Sequence, residues 1–273
     1  LFYRNSSFDS PSDNAIAPDK SPLLPGQTAT FANYSSYSLG INGIMLDYAG
    51  PAINFFATDF VFNVGNNSTP ASWIGASAPV SVTVRPGAGV GGSTRIEIAW
   101  IDATIQQQWL QITFKGGAGA TSGLDASDVF YFGNAIAESG NSPTDTKVDA
   151  IDQLAPRAGA TTGALITNPL DYDRDGIVGS QDEVIARNCF TYFINQLQLI
   201  TPPGPPPAPP AAAALPILAP AQPLGGVGRT FSLAPLSSTA ISGEWFPLAR
   251  IKMAPPAKKI HLAVIKPPTR KLS

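Results

Sequence analysis

A twelve-residue stretch beginning at Asp171 contains three aspartates at alternate positions, Asp171, Asp173 and Asp175, followed directly by a glycine. This spacing is typical of a calcium loop, in which positions 1, 3 and 5 supply side-chain oxygens and a glycine at position 6 makes the sharp turn. Such a loop also uses a backbone carbonyl at position 7, here Ile177, and a carboxylate at position 12, here Asp182. Four acids this close repel one another unless a cation neutralises them. The sequence therefore predicts a Ca²⁺ site with these five residues as ligands.

The same pattern recurs in weaker form 30 residues earlier, in the stretch 141–152. Pro143 stands at position 3, where it offers no side-chain oxygen, and Thr146 replaces the glycine. A weaker second site is predicted here. Its candidate ligands are Asn141, Asp145, Lys147, Asp149 and Asp152. The registered offset predicts two loop–helix units that pack as a pseudo-symmetric pair, with Pro156 limiting the first helix to a turn or two before it.

Upstream of the loops, apolar and polar residues alternate along several short runs. Val80, Val82 and Val84 alternate with Ser81 and Thr83, which is the period-two pattern of a strand with one buried face. Glycine-rich turns separate the runs. Seven segments are predicted strands: 28–35, 41–48, 59–64, 80–85, 94–101, 109–115 and 128–132. Short strands at this spacing predict a mainly β fold, an antiparallel β-sandwich.

The composition changes abruptly after residue 200. Residues 1–202 hold 9 basic and 18 acidic residues, a net charge of −9, whereas residues 203–273 hold 8 basic residues and one acidic residue, a net charge of +7. Residues 202–214 are almost entirely Pro, Ala and Gly and cannot build a core. Three regions are predicted: the β-sandwich with its N-terminal loop (1–137), the small α-helical calcium-loop pair (138–200) and a disordered Pro/Ala-rich, basic tail (201–273).

Several functional classes are excluded by composition. Cys189 and His261 are the only cysteine and histidine, which excludes an intrachain disulfide, a Ser-His-Asp triad and a His-based zinc site. The acidic body disfavours nucleic-acid binding, and no apolar run is long enough to span a membrane. A glycosidase needs a pair of carboxylates. The spacing of the available acids does not indicate such a pair; these acids are Asp47, Asp59, Glu97 and Asp102. We therefore expect no catalytic residues and no enzymatic activity.

A carbohydrate-binding function is an alternative based on aromatic residues. Trp109 is out of phase with the inward-facing Leu110 and Ile112, so its side chain belongs to the outer face of its strand. There it either packs at the edge of the core or is exposed and contacts a polysaccharide. Other aromatic residues in or near loops are Trp73, Tyr34 and Tyr37. The second reading predicts a carbohydrate-binding module of a polysaccharide-degrading enzyme or assembly.

The paired loops resemble a type I dockerin, a family with two near-repeats of a calcium loop followed by a helix, without the entering helix of the EF-hand. The second repeat, 171–187, matches the family pattern down to Val178 and Asp182, whereas 141–157 is degenerate. The resemblance covers residues 138–200. It implies calcium-dependent folding and docking on a cohesin-like protein partner.

The family recognition face carries Ser-Thr-like pairs at loop positions 10 and 11. This chain has Ser180-Gln181 and Ala150-Ile151 at those positions, so packing of the pair against its own β-sandwich is an equal alternative to a protein partner. The chain begins with Leu1 rather than Met, and a β-domain followed by such a pair is similar to the C-terminal regions of large secreted bacterial proteins. We therefore expect this chain to be part of a larger protein that is secreted or lies at the cell surface.

Overall fold

The chain folds into two β-sheets and two short α-helices over residues 1–204, the part that the computed structural model describes. The strands are β1 (Tyr34–Ser35), β2 (Gly43–Tyr48), β3 (Phe60–Gly65), β4 (Ile74–Gly75), β5 (Ser81–Arg85), β6 (Thr94–Ala99), β7 (Trp109–Phe114) and β8 (Asp128–Asn134). The five-stranded sheet has the order β1-β8-β7-β3-β4, and the three-stranded sheet has the order β2-β6-β5. The prediction of a mainly β fold is thus confirmed.

The alternating residues of the strands form one shared core. Ile96 and Ile98 of β6 are fully buried, whereas Glu97 between them is only partly covered. A single buried cluster draws on both sheets, including Ile44, Leu46, Phe60, Leu110, Ile112, Phe114, Phe130 and Phe132. Each fully buried side chain of this kind stabilises the fold by about 1.5–3 kcal/mol relative to its exposed state. This burial explains why the period-two pattern located most strands correctly.

The predicted strand 28–35 is wrong over most of its length. Only β1 at its end is a paired strand, because residues Phe31–Asn33 form a 3₁₀ turn. The side-chain oxygen of Asn33 accepts the backbone N–H of Thr30 at 2.8 Å, which offers the backbone a local alternative to a strand. A second departure is that β1 pairs with β8 in parallel, so the predicted purely antiparallel arrangement does not hold at this edge. The short strand β4 was not predicted.

Two helices follow the two loops: α1 (Ala150–Ala158) and α2 (Ser180–Asn188). They contact each other. Between the helices and the end of β8 lies a separate buried cluster that contains Val148, Tyr172 and Ala186. The loop pair therefore has a small core of its own.

After α2 and a turn at residues 193–196, the chain returns to the five-stranded sheet as a segment without regular secondary structure, residues 197–202, which we call the C-terminal strap. Two residues of the strap, Leu197 and Ile200, are fully buried and pack in one cluster with Trp109 of β7. Backbone groups also tie the strap down, because Ala29 donates its N–H to the carbonyl of Ile200 at 2.9 Å. The strap thus fastens the end of the loop pair to the β region.

The predicted disordered tail lies outside the described residues from position 205 onward. Thr201 and Pro202, at its predicted start, belong to the strap: the N–H of Thr201 donates to Ser68 at 3.0 Å, and the carbonyl of Pro202 accepts the N–H of Gly26 at 2.8 Å. In the described part of the chain, neither helix combines the length and the apolar character that crossing a bilayer would require.

Candidate metal centre

The three alternate aspartates of the second loop lie together in the structure. One carboxylate oxygen from each of Asp171, Asp173 and Asp175 lies within 4.8 Å of the others. Asp171 is buried, Asp173 is half-buried and Asp175 is exposed, so the group opens from the protein interior to solvent. A donor set made only of oxygens suits a hard divalent cation such as Ca²⁺.

Backbone N–H groups of the loop hold these carboxylates in place. The two oxygens of Asp171 accept the N–H groups of Asp175 at 3.1 Å and of Gly176 at 3.0 Å. One oxygen of Asp175 accepts the N–H of Ile177 at 2.7 Å. Gly176 has a φ of 87°, in the left-handed region that a residue without Cβ adopts without a steric penalty. The glycine at position 6 therefore makes the turn that points three N–H groups inward.

Ile177 and Asp182, the other predicted ligands, border the same loop. The carbonyls on either side of Ile177, those of Gly176 and Val178, accept the N–H groups of Ala164 and Thr161. Asp182 is buried, and its oxygens accept the N–H of Tyr172 at 2.6 Å and of Gly179 at 2.9 Å. Its carboxylate thus closes the loop but stands outside the three-aspartate group.

Crowding and burial disfavour negative charge on these acids. Burial raises the pKa of Asp171 to about 6, opposed by the N–H of Gly176 and the guanidinium of Arg174. Burial raises the pKa values of Asp173 and Asp182 as well. Charge repulsion adds to each shift. A bound divalent cation would reverse these effects, since it favours the ionised form of every ligand.

Arg174, at position 4 of the loop, joins the loop to the β region. Its side chain is only 1% exposed. The guanidinium donates to the Ser36 hydroxyl at 3.1 Å, to the carbonyl of Asn168 at 2.8 Å and to the carbonyl of Asp171. It also lies over the ring of Tyr3, 4.7 Å from the ring centre. Sequence reasoning missed this residue because position 4 supplies no metal ligand, and nothing in the local pattern shows its distant partners.

Two serines of the β region bond to the loop backbone. Ser7 donates both its N–H and its hydroxyl to the carbonyl of Arg174, each at 3.0 Å. Ser38 donates its N–H to the carbonyl of Tyr172 at 2.8 Å. The second loop is therefore held on one side by its own helix and on the other by the β region.

The two repeats exchange equivalent backbone contacts. Val178, at position 8 of the second loop, forms a bridge with Thr161, with N···O distances of 2.8 and 3.1 Å. Val148, at position 8 of the first loop, accepts the N–H of Thr191 at 3.0 Å and donates to its hydroxyl at 2.9 Å. Thr161 and Thr191 are 30 residues apart, as are Val148 and Val178, so these contacts follow the pseudo-symmetry expected from the sequence.

The expectation that Pro156 ends the first helix is wrong, because α1 runs through it to Ala158. Proline has no N–H for the carbonyl of Asp152, four residues earlier. The hydroxyl of Tyr172 donates to that carbonyl at 3.1 Å instead. A side chain from the second loop thus replaces the missing helical hydrogen bond.

The residues of the predicted weaker site bond to one another and to their own backbone. Asp149 caps α1 through the N–H of Ile151 at 2.8 Å and pairs with Lys147 at 2.9 Å. Asp152 is buried and accepts the side chain of Asn141 at 3.2 Å. Asp145 accepts the N–H of Lys147 at 3.1 Å. Among residues 1–204, the group of acids placed to share a cation is the one in the second loop.

The aromatic residues considered for polysaccharide binding are largely covered. Trp109 is 0% exposed, lies under the C-terminal strap and donates its indole N–H to the carbonyl of Gln198 at 2.8 Å. Its side chain lies on the outer face of β7, as predicted. Of the two alternatives for that face, packing or contact with a polysaccharide, the structure shows packing. Tyr34 and Tyr37 are buried as well, and Trp73 is partly exposed.

The acids considered for a glycosidase pair have structural partners. Asp47 and Arg95 form a buried bidentate ion pair at 2.8 and 2.9 Å. The other three acids are also engaged: Glu97 with Arg85 at 3.5 Å, Asp102 with Asn42 at 2.8 Å, and Asp59 with the N–H of Phe56 at 2.8 Å.

Comparison of the chain with protein-family models, with curated proteins and with solved structures gives no match.

Proposed function

We propose that the second loop binds one Ca²⁺ ion and that the ion stabilises the junction between a β-sandwich and a dockerin-like loop pair. Asp171, Asp173, Asp175, the carbonyl of Ile177 and Asp182 are the proposed ligands, the last directly or through water. The protein is then an extracellular structural and interaction module without enzymatic activity. The observation that carries this proposal is the meeting of three carboxylates within 4.8 Å in a loop whose N–H groups already orient them.

The donor set favours calcium over magnesium. Ca²⁺ accepts six to eight oxygens in flexible geometry, whereas Mg²⁺ demands near-ideal octahedral geometry and keeps several waters. A loop that offers several carboxylates and a backbone carbonyl fits the first ion better. The secreted or cell-surface location is proposed from the resemblance of residues 138–200 to a dockerin.

A structural role is supported by the way the loop is held. Arg174 and the carbonyl of Tyr172 contact Ser36 and Ser38 of the β region. An ion that orders the loop therefore also orders the surface of the β region that the loop covers. Metal binding and folding would be coupled in this arrangement, because the free energy of binding is available only to the folded loop.

A protein partner is a second candidate function, supported by exposure. Ser180 and Gln181 of the second loop and Ala150 and Ile151 of the first are all exposed, and Ile151 is 64% exposed. These are positions 10 and 11, the recognition positions of the family that the loops resemble. Calcium-dependent capture of a cohesin-like protein would support this role; it is compatible with the structural one.

The proposal is tested by calcium titration and thermal melting of the full chain. Calcium should raise the melting temperature and EDTA should lower it, with heat of binding in calorimetry. Asp173→Ala should abolish both responses, because it removes the side-chain oxygen of a ligand that is half-exposed and not needed for packing. Asp125→Ala, a change at an exposed residue between β7 and β8, is the matched control. A melting temperature that does not respond to calcium or EDTA would refute the proposal.

A further inference from the structure

The first loop differs from the second in how its final acid, Asp152, is bonded. One oxygen of Asp152 accepts the N–H of Ser139 at 3.0 Å, the hydroxyl of Ser139 at 2.7 Å and the side-chain amide of Asn141 at 3.2 Å. The other oxygen accepts the N–H of Asp149 at 3.0 Å. A carboxylate has about four lone-pair sites, and this one already has four donors. A metal ion at position 12 would have to displace them.

Position 1 of the first loop is likewise committed. Asn141 directs its amide N–H to Asp152, so the side chains at positions 1 and 12 are joined by a hydrogen bond. In the second loop, Asp171 and Asp182 at the same positions are both carboxylates, and each bonds to backbone N–H groups. Two carboxylates need a cation to bring them together, whereas an amide and a carboxylate do not.

The remaining acids of the first loop also have donors on both oxygens. Asp145 accepts the N–H of Lys147 at 3.1 Å and the hydroxyl of Ser142 at 2.9 Å. Asp149 accepts the N–H of Ile151 and the ammonium of Lys147. In the second loop, by contrast, one oxygen of each exposed or half-exposed acid has no donor within the described residues. The first loop therefore satisfies its acids internally.

The backbone of the first loop also lacks the sharp turn. Gly176 at position 6 is left-handed, with φ of 87°, and among the described residues Thr146 at the equivalent position does not have a positive φ. Thr146 is buried instead, and its hydroxyl donates to the carbonyl of Leu197 in the strap. The side chain that replaces the glycine is thus used to attach the strap.

We propose that the first loop is a metal-independent counterpart of the second, in which the Asn141–Asp152 hydrogen bond and Lys147 take the place of an ion. The chain then binds one Ca²⁺ ion rather than two, and the first repeat stays folded when calcium is removed. The stoichiometry rests on the proposed function, but the metal-independent folding of the first repeat does not.

Calorimetry and amide hydrogen exchange of the full chain test this proposal. Titration should give one ion per chain, unchanged in Asp145→Asn. In EDTA, the amides of Ser139, Asp149 and Ile151 should stay protected, whereas those of Asp175, Gly176 and Ile177 should lose protection at least tenfold. Two bound ions, or loss of protection at Ser139, Asp149 and Ile151 on chelation, would overturn it. If the chain binds no calcium, the proposed function fails, while protection of the first-loop amides in EDTA still decides this proposal.

A pair of variants separates the effect of the Asn141–Asp152 hydrogen bond from general loop stability. Asn141→Ala should lower the melting temperature by the same amount in calcium and in EDTA, because it removes a hydrogen bond that no ion replaces. Asn141→Asp should lower it more in EDTA than in calcium, because it sets two carboxylates side by side. A calcium-dependent effect of Asn141→Ala would contradict the proposal.

Discussion

The hydroxyl of Tyr172, at position 2 of the second loop, donates a hydrogen bond of 3.1 Å to the carbonyl of Asp152, at position 12 of the first. Both residues are fully buried. The carbonyl is the one that Pro156 leaves without a helical partner, so a proline within the first helix is compensated by the second repeat. The two repeats are coupled by this contact as well as by their shared core.

Replacing Tyr172 with Phe should therefore destabilise the protein by about 1–3 kcal/mol, because it leaves a buried carbonyl without a donor. Urea denaturation measures the loss. In a Pro156→Ala background the cost should shrink, since a backbone N–H is restored within the helix to bond the same carbonyl. An equal cost of Tyr172→Phe in both backgrounds would show that the hydrogen bond to Asp152 is not the source of the effect.

Stability should also depend on pH through Glu138, which is 0% exposed and accepts the hydroxyl of Tyr34 at 2.5 Å. Burial raises the pKa of Glu138 from 4.5 to about 7, opposed by its hydrogen bonds with Tyr34 and Gly140. Because the folded state binds the proton more tightly, the stability that Glu138 contributes is fully present below pH 4.5 and is lost as the pH rises through about 7. The shift corresponds to a loss of about 3 kcal/mol.

The variant Glu138→Gln isolates this contribution, since its amide carries no charge at any pH. Denaturation between pH 4.5 and 8 in saturating calcium, which keeps the loop acids ionised, should give a flatter profile for the variant than for the wild type. Parallel profiles would mean that Glu138 does not titrate in this range.

Local patterns predicted what local physics determines. The strands were found because burial on one face imposes a period of two, as in Ile96 and Ile98, and the second loop because three aspartates and a glycine have a fixed spacing. In both cases the residues that decide the structure lie close together in the sequence. The metal-binding role of the loop stays a prediction, but its geometry agrees with the pattern.

Contacts between distant segments could not be predicted in this way. Trp109 was correctly assigned to the outer face of β7, but nothing near it shows that a strap 88 residues later, at Leu197, covers it. The helix continues through Pro156 only because Tyr172 supplies a donor from another repeat. Arg174 looked like a loop residue without a role because its partners, Ser36 and Tyr3, belong to the β region.

The C-terminal strap offers a direct test of this long-range packing. Leu197→Ala should lower the free energy of unfolding by about 2–5 kcal/mol, because it leaves a cavity next to Trp109. The Leu197 side chain that fills this space is 0% exposed. Ile194→Ala, just before the strap, removes a side chain that is 89% exposed and should change stability by no more than about 0.5 kcal/mol. Chemical denaturation followed by tryptophan fluorescence measures both. Similar costs for the two variants would show that the strap is not packed as described.

Calcium affinity should weaken in acid because the ligands must be ionised to bind. Burial raises the pKa of Asp171 to about 6 in the metal-free protein, so protons compete with the ion below that pH. The affinity should be nearly constant above pH 7 and fall about tenfold for each pH unit below 6 for a single titrating carboxylate. Raised pKa values at Asp173 and Asp182 make the fall steeper.

Acid should have the opposite effect on the stability of the metal-free protein, because protonation relieves the repulsion among the acids and stabilises the folded loop. Calorimetric titrations at pH 5, 6 and 7.5 measure the affinity, and the melting temperatures in calcium and in EDTA should converge as the pH falls. A calcium affinity that is unchanged from pH 7.5 to 5 would show that Asp171 is not a ligand.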